Sequence, residues 1–73
     1  MKERLREHIE QFKYLAETME QYTYESLKSV CVDYMEVVRD DAAAHVITKA
    51  EATEVERQYK RLLHIKAFIS LIA

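Results

Sequence analysis

The chain of 73 residues contains no glycine and no proline. Sheets and long loops draw on those residues for turns that need a positive or a fixed φ. Helices need neither, and both penalise a helix interior. Their joint absence excludes a turn-rich β or α/β architecture and leaves one all-α domain, 1–73, with very few connections. There is a single cysteine, so no intrachain disulfide forms, and no paired Cys/His spacing offers a structural zinc site. A lone thiol fits a reducing compartment, and the expected setting is cytoplasmic. The net charge of −2 and a pI near 5.9 do not describe a general nucleic-acid binder, which tends to be strongly basic. Long hydrophobic runs are lacking too. The most apolar stretch, residues 62–73, is interrupted by His64 and Lys66 and falls short of the ~20 residues that cross a bilayer. The opening MKERLREHIEQF has no apolar core of a signal peptide.

A chain this short has a thin core. Below roughly 70–80 residues a single core rarely supplies more than ~3–5 kcal/mol, and small proteins add staples or associate. With disulfide and zinc excluded, self-association is the remaining common remedy, and a homodimer is the expected form.

What is present is organised around residues 33–60. If the chain folds back near Val46 and Ile47, Arg39 stands opposite Glu54, Glu36 opposite Arg57, and Asp33 opposite Lys60. Each pair joins opposite signs. Val38 then meets Val55, Tyr34 meets Tyr59, Cys31 meets Leu62 and Val30 meets Leu63. This mirror pattern predicts two antiparallel helices with a turn at about 45–47. The restart is marked by Thr48-Lys49-Ala50-Glu51, a capping box in which the Thr side chain takes the Glu51 amide and Glu51 reaches back. Ile47 before it is placed to pack on Ala52 as a hydrophobic staple. The last helix covers about 48–72, and its roughly 24 residues span ~36 Å.

Upstream, Leu5, Ile9, Phe12, Ala16 and Met19 recur at heptad-like steps with charges on the other faces. The weak point is residues 21–26, where Tyr, Thr and Ser are mediocre helix formers and the stripe slips. The expected reading is a continuous helix over about 2–44 that absorbs the slip as a stutter. The alternative breaks the chain near Thr23, which would cap a new helix with Glu25 in its first turn. A continuous helix leaves Leu5, Ile9, Phe12 and Met19 without partners in their own chain and makes an oligomeric bundle. A break folds residues 2–21 back as the third helix of a monomeric bundle.

No constellation for catalysis emerges. Asp41 and His45 stand four apart, a two-ligand start for a metal, but His8 and His64 are far along the chain and two ligands do not make a site. Cys31 lies on the apolar stripe and reads as core packing rather than as a nucleophile. No cofactor is implied. Arg57, Lys60, Arg61 and Lys66 make the last helix basic; setting the antiparallel register is the simpler account, and phosphate contacts are the alternative. Tyr14, Tyr22, Tyr24, Tyr34 and Tyr59 exceed what a small core needs; ordinary half-buried packing is the simpler account, and contact surfaces are the alternative. Leu63, Ile65, Phe68, Leu71 and Ile72 make the chain's end apolar on more than one face, so a second surface is needed there. The sequence reads as a small non-enzymatic protein–protein interaction module, an inhibitor, adaptor or chaperone-like protein, that docks through apolar helix faces. The second reading is a small dimeric nucleic-acid-binding regulator.

Overall fold

A computed structural model describes residues 2–72. Helix α1 spans Glu3–Thr18, α2 spans Tyr24–Ala43 and α3 spans Lys49–Ile72, with a short 3₁₀ turn at Met19–Gln21 between α1 and α2. There is no strand among the described residues. The shape is elongated, 41 × 17 × 16 Å.

The helix expected to run over 2–44 is interrupted. Tyr22 is extended (φ −107°, ψ 148°), as is Thr23 (φ −76°, ψ 164°), and the Thr23 side chain accepts a hydrogen bond from the Ser26 amide at 3.1 Å. Two extended residues turn the chain, and the cap satisfies an amide that a fresh helix end leaves open. Weak local propensity lowers the cost of the break, so neither Gly nor Pro is needed.

Helix α2 ends in a Schellman motif. The His45 amide donates to the Ala42 carbonyl and the Val46 amide to the Asp41 carbonyl. His45 takes the left-handed position with φ 61°. Two residues later the capping box forms as the sequence predicts. The Glu51 amide donates to Thr48 Oγ1 at 3.1 Å and the Thr48 amide to Glu51 Oε1 at 2.8 Å. Ile47 and Ala52, the staple pair, are both buried.

The core sits where the three helices meet. It comprises Leu15 of α1, Leu27, Cys31, Met35 and Val38 of α2, Ile47 of the turn, and Ala52, Val55, Tyr59 and Leu62 of α3. Each fully buried leucine contributes about 1.5–3 kcal/mol. The Tyr34 and Tyr59 rings lie 6.1 Å apart, and Phe12 meets Tyr59 edge-on at 5.5 Å. Helix α1 starts beside the α2–α3 turn, where Lys2 bonds Glu51 and Arg4 bonds Asp41. It runs against the sense of α2 and alongside α3 in the same sense.

The ion-pair ladder differs from expectation. Arg39 reaches Glu56 rather than Glu54, and Arg57 bonds Glu54 within its own helix. Asp33, Glu36 and Lys60 form no ion pair among the described residues. The mirror rule treats facing helices as a flat ladder, whereas helical side chains lean back toward the N-terminus and meet neighbours three and four residues away.

Candidate functional site

The break at Thr23 decides what happens to the N-terminal stripe. With α1 folded back, Leu5, Ile9, Phe12 and Met19 become half-buried and turn toward α3. Leu5, Phe12, Ala16 and Met19 pack against the core without being fully buried. Leu5 and Ile9 line a shallow apolar groove with Val55 and Gln58. Phe12, Ala16 and Met19 line a second with Leu62 and Ile65. The two depressions lie along the α1–α3 seam and share Gln58 in their lining.

Beyond α1 the wall on α3 stands alone. Phe68 is 64% exposed, Leu71 85% and Ile72 70%. Ile65 is exposed and Leu63 is half-buried. Along α3 the positions Glu54, Gln58, Arg61, Ile65, Phe68 and Ile72 recur at steps of four and three, a second seam beside the core positions Val55, Tyr59 and Leu62. Its first half is polar and its second half apolar. Arg57, Lys60 and Arg61 are exposed and Lys66 is half-buried. All of them lie on α3.

A second, polar cluster fastens α1 to α2. His8 is 6% exposed, and its Nε2 lies 2.6 Å from Asp41 Oδ2. Arg4 Nε donates to the same oxygen at 2.9 Å, and Arg4 also reaches Glu7. Gln11 donates to the Tyr34 hydroxyl at 2.9 Å. Burial pushes the Asp41 carboxyl up, but the hydrogen bonds from His8 and Arg4 together hold it below the ordinary carboxylate range. Asp41 faces His8 and Arg4 and not His45, which takes the left-handed position of the turn. Sequence reasoning missed this cluster, whose bonds between helices span 23 to 37 positions. One signal pointed to it. Asp40 and Asp41 sit at the negative end of the α2 dipole, an unfavourable place that calls for a cation from elsewhere.

The cluster resembles the base-and-orienter half of a catalytic triad, but the thiol it would need is in the core. Cys31 is fully buried, and burial raises it to about 11, the reverse of an activated nucleophile. Among the described residues no group of three His, Cys, Asp or Glu side chains converges as a metal site. No helix is long and apolar enough to cross a membrane. No protein-family model, curated protein or solved structure matches this chain.

Proposed function

We propose that this protein is a non-enzymatic protein–protein interaction module, acting as an inhibitor, adaptor or chaperone-like protein in a reducing, cytoplasmic setting. The observation that carries this reading is the exposed apolar end of α3, with Phe68, Leu71 and Ile72 in the open while the core is already closed within the chain. Contiguous exposed apolar surface marks contact sites. Helix faces with anchors at i, i+3, i+4 and i+7 are a recurring docking mode. Photo-crosslinking from benzoylphenylalanine placed at Leu71, in extract of the cells that make the protein, tests it. Discrete adducts with another protein, competed by excess unlabelled chain, are expected. Adducts only with itself, or none, would overturn the reading.

A second reading is favoured by one feature of charge. All 13 Asp and Glu residues lie at or before Glu56, so Arg57, Lys60, Arg61 and Lys66 form a purely cationic tail. A dimer presenting two such tails would bind nucleic acid with an affinity that falls steeply with salt. Absence of any shift with duplex or single strand at low salt removes this reading.

A further inference from the structure

We infer that the cavity between α1 and α2 binds a small organic cation, a primary ammonium on a short alkyl chain. The inference is independent of the apolar end of α3.

The floor of the cavity points to a ligand. Its volume is about 630 Å³, within the roughly 300–1,000 Å³ usual for small-molecule sites. Glu7, Glu10, Gln11 and Tyr14 line it from α1, and Tyr34 and Val37 from α2. Tyr59 is the one lining residue from α3. It crosses the core from the opposite helix, so the end of its side chain is what reaches the cavity. Burial first, then the nearby Cys31 and Tyr34, raise its phenol, and both neighbours stand on α2. Tyr59 is wholly buried, and its hydroxyl has no hydrogen-bond partner among the described residues. Buried polar atoms are nearly always paired, so an orphan at the floor of a cavity calls for a partner from outside the chain. Beside it Gln11 Nε2 donates to the Tyr34 hydroxyl at 2.9 Å, which leaves the Gln11 side-chain carbonyl as a second open acceptor. An ammonium brings three donors and no acceptor.

Charge selects the class. Glu3, Glu7, Glu10, Tyr14 and Glu17 recur at steps of four and three along α1, and Asp33, Val37 and Asp40 do so along α2. Glu7, Glu10, Tyr14 and Val37 of these rows line the cavity, so both rims are acidic. The lining guanidinium, Arg4, is bonded to Asp41 and Glu7, and His8 turns its Nε2 to Asp41. Arg6 and Lys13 stand within a turn of Glu10 but do not line the cavity. Glu10, Asp33 and Asp40 form no ion pair among the described residues. An anion would meet these carboxylates as like charges, which specificity works against. The apolar wall is Tyr14, 58% exposed, and Val37, 43% exposed. In this arrangement the ammonium donates to the Tyr59 oxygen and to Gln11, Glu10 offsets its charge, and its alkyl chain lies on Tyr14 and Val37. A cation near an aromatic ring gains further attraction.

The test is a titration of the full chain with n-butylamine, cationic at about pH 7, beside n-butanol and butyrate, which share its alkyl chain. Ring resonances of Tyr14, Tyr34 and Tyr59 are followed by nuclear magnetic resonance. Saturable shifts with the amine alone are expected, with a Kd on the order of 1 mM for so small a ligand. Tyr59→Phe should weaken binding about tenfold or more, because hydrogen bonds to a charged group are the strong ones. Glu10→Gln should weaken it several-fold, and Lys13→Gln should not weaken it. No saturable shift with the amine overturns the site. Equal binding of butanol overturns the cationic class, and undiminished binding by Tyr59→Phe overturns the floor as its anchor. Each of these failures leaves the Leu71 crosslinking result free to stand.

Discussion

His8 Nε2 and Asp41 Oδ2 lie 2.6 Å apart, across 33 positions of sequence, and tie the first helix to the last turn of the second. The contact is almost wholly screened from solvent on the His8 side. It gives α1 a fixed seat at the end where the Asp41 carboxylate would otherwise meet the unfavourable end of the α2 dipole. Removing either partner leaves the other under-satisfied, so His8→Ala or Asp41→Asn should each cost about 1–3 kcal/mol. The double-mutant cycle should show coupling above about 0.5 kcal/mol. The Asp41 carboxyl is held below its ordinary value in the fold. Its contribution is therefore fully present above pH ~4, where the unfolded chain ionises, and is lost as pH falls through the lower folded value. Urea midpoints from pH 6 to pH 2 should decline more gently for Asp41→Asn than for wild type. Parallel curves would remove this account.

Tyr59 is the largest fully buried side chain, and its hydroxyl has no hydrogen-bond partner among the described residues. An unpaired buried hydroxyl is a cost the ring packing has to overcome. Tyr59→Phe keeps the contacts with Phe12 and Tyr34 and removes that cost. It should raise stability by about 1 kcal/mol, seen as a Tm increase of about 4–8 °C. A fall in Tm of similar size would mean that the hydroxyl is satisfied.

The same core predicts sensitivity to alkali. Burial raises the Tyr59 phenol, with smaller contributions from Cys31 and Tyr34, and burial raises the Cys31 thiol to about 11. Both groups fold neutral. Their contribution is complete below the pH at which the unfolded thiol ionises, about 8.5, and is lost as pH rises through the folded values. Stability should fall between pH 8 and pH 11. Cys31 should react with Ellman's reagent at pH 8 only as fast as the chain opens, and at once in denaturant. Fast labelling of the folded protein would contradict its buried position.

Features encoded within four residues, and contacts mirrored about the α2–α3 turn, were legible in the sequence; those that depend on where α1 folds were not. The capping box at Thr48 and Glu51 is local chemistry and appears where the pattern places it. The Tyr34–Tyr59 contact also arises from the mirror about the turn. The break at Thr23 is different. A stutter and an N-cap are nearly balanced in a segment of weak helix formers, and the folding back of α1 onto α2 and α3 tips the balance. The His8–Asp41 contact exists only once that has happened. A reading confined to i, i+4 neighbours could pair Asp41 only with His45. The α1–α3 seam was half legible: its residues were in the stripe from Leu5 to Met19, but the wall opposite them could not be assigned before the break was fixed.

The two caps offer a direct comparison. Thr48 exchanges two hydrogen bonds with Glu51, whose carboxyl is held low first by the Thr48 amide and then by Lys2. Thr23 offers one bond to a backbone amide, and its hydroxyl also meets the Ser26 hydroxyl. Thr23→Ala and Thr48→Ala should each destabilise by about 1 kcal/mol. They should differ in their effect on α1. Loss of the Thr23 cap lowers the cost of running α1 into α2 as one helix, which frees the N-terminal stripe from α3. Hydrogen exchange should then show weaker protection across α1 in Thr23→Ala than in Thr48→Ala, at equal global stability. Equal protection in both would show that the break does not depend on its cap.

The turn between α2 and α3 holds the chain's one non-glycine residue at positive φ among those described, His45 at 61°. A side chain in the left-handed region brings its Cβ against the following carbonyl, at a cost of about 1–2 kcal/mol. Two Schellman bonds hold it there, and glycine is the residue that usually fills this position. The imidazole makes no hydrogen bond or ion pair among the described residues that would offset the cost. His45→Gly should therefore stabilise the protein, by about 0.5–1 kcal/mol after subtracting the extra freedom glycine gives the unfolded chain. His45→Val should destabilise it, since a β-branched side chain tolerates that region least. Chemical denaturation of the two variants against wild type decides the matter. The order Gly above His above Val is expected, and a His45→Gly variant less stable than wild type would mean that the imidazole holds the turn through a contact of its own.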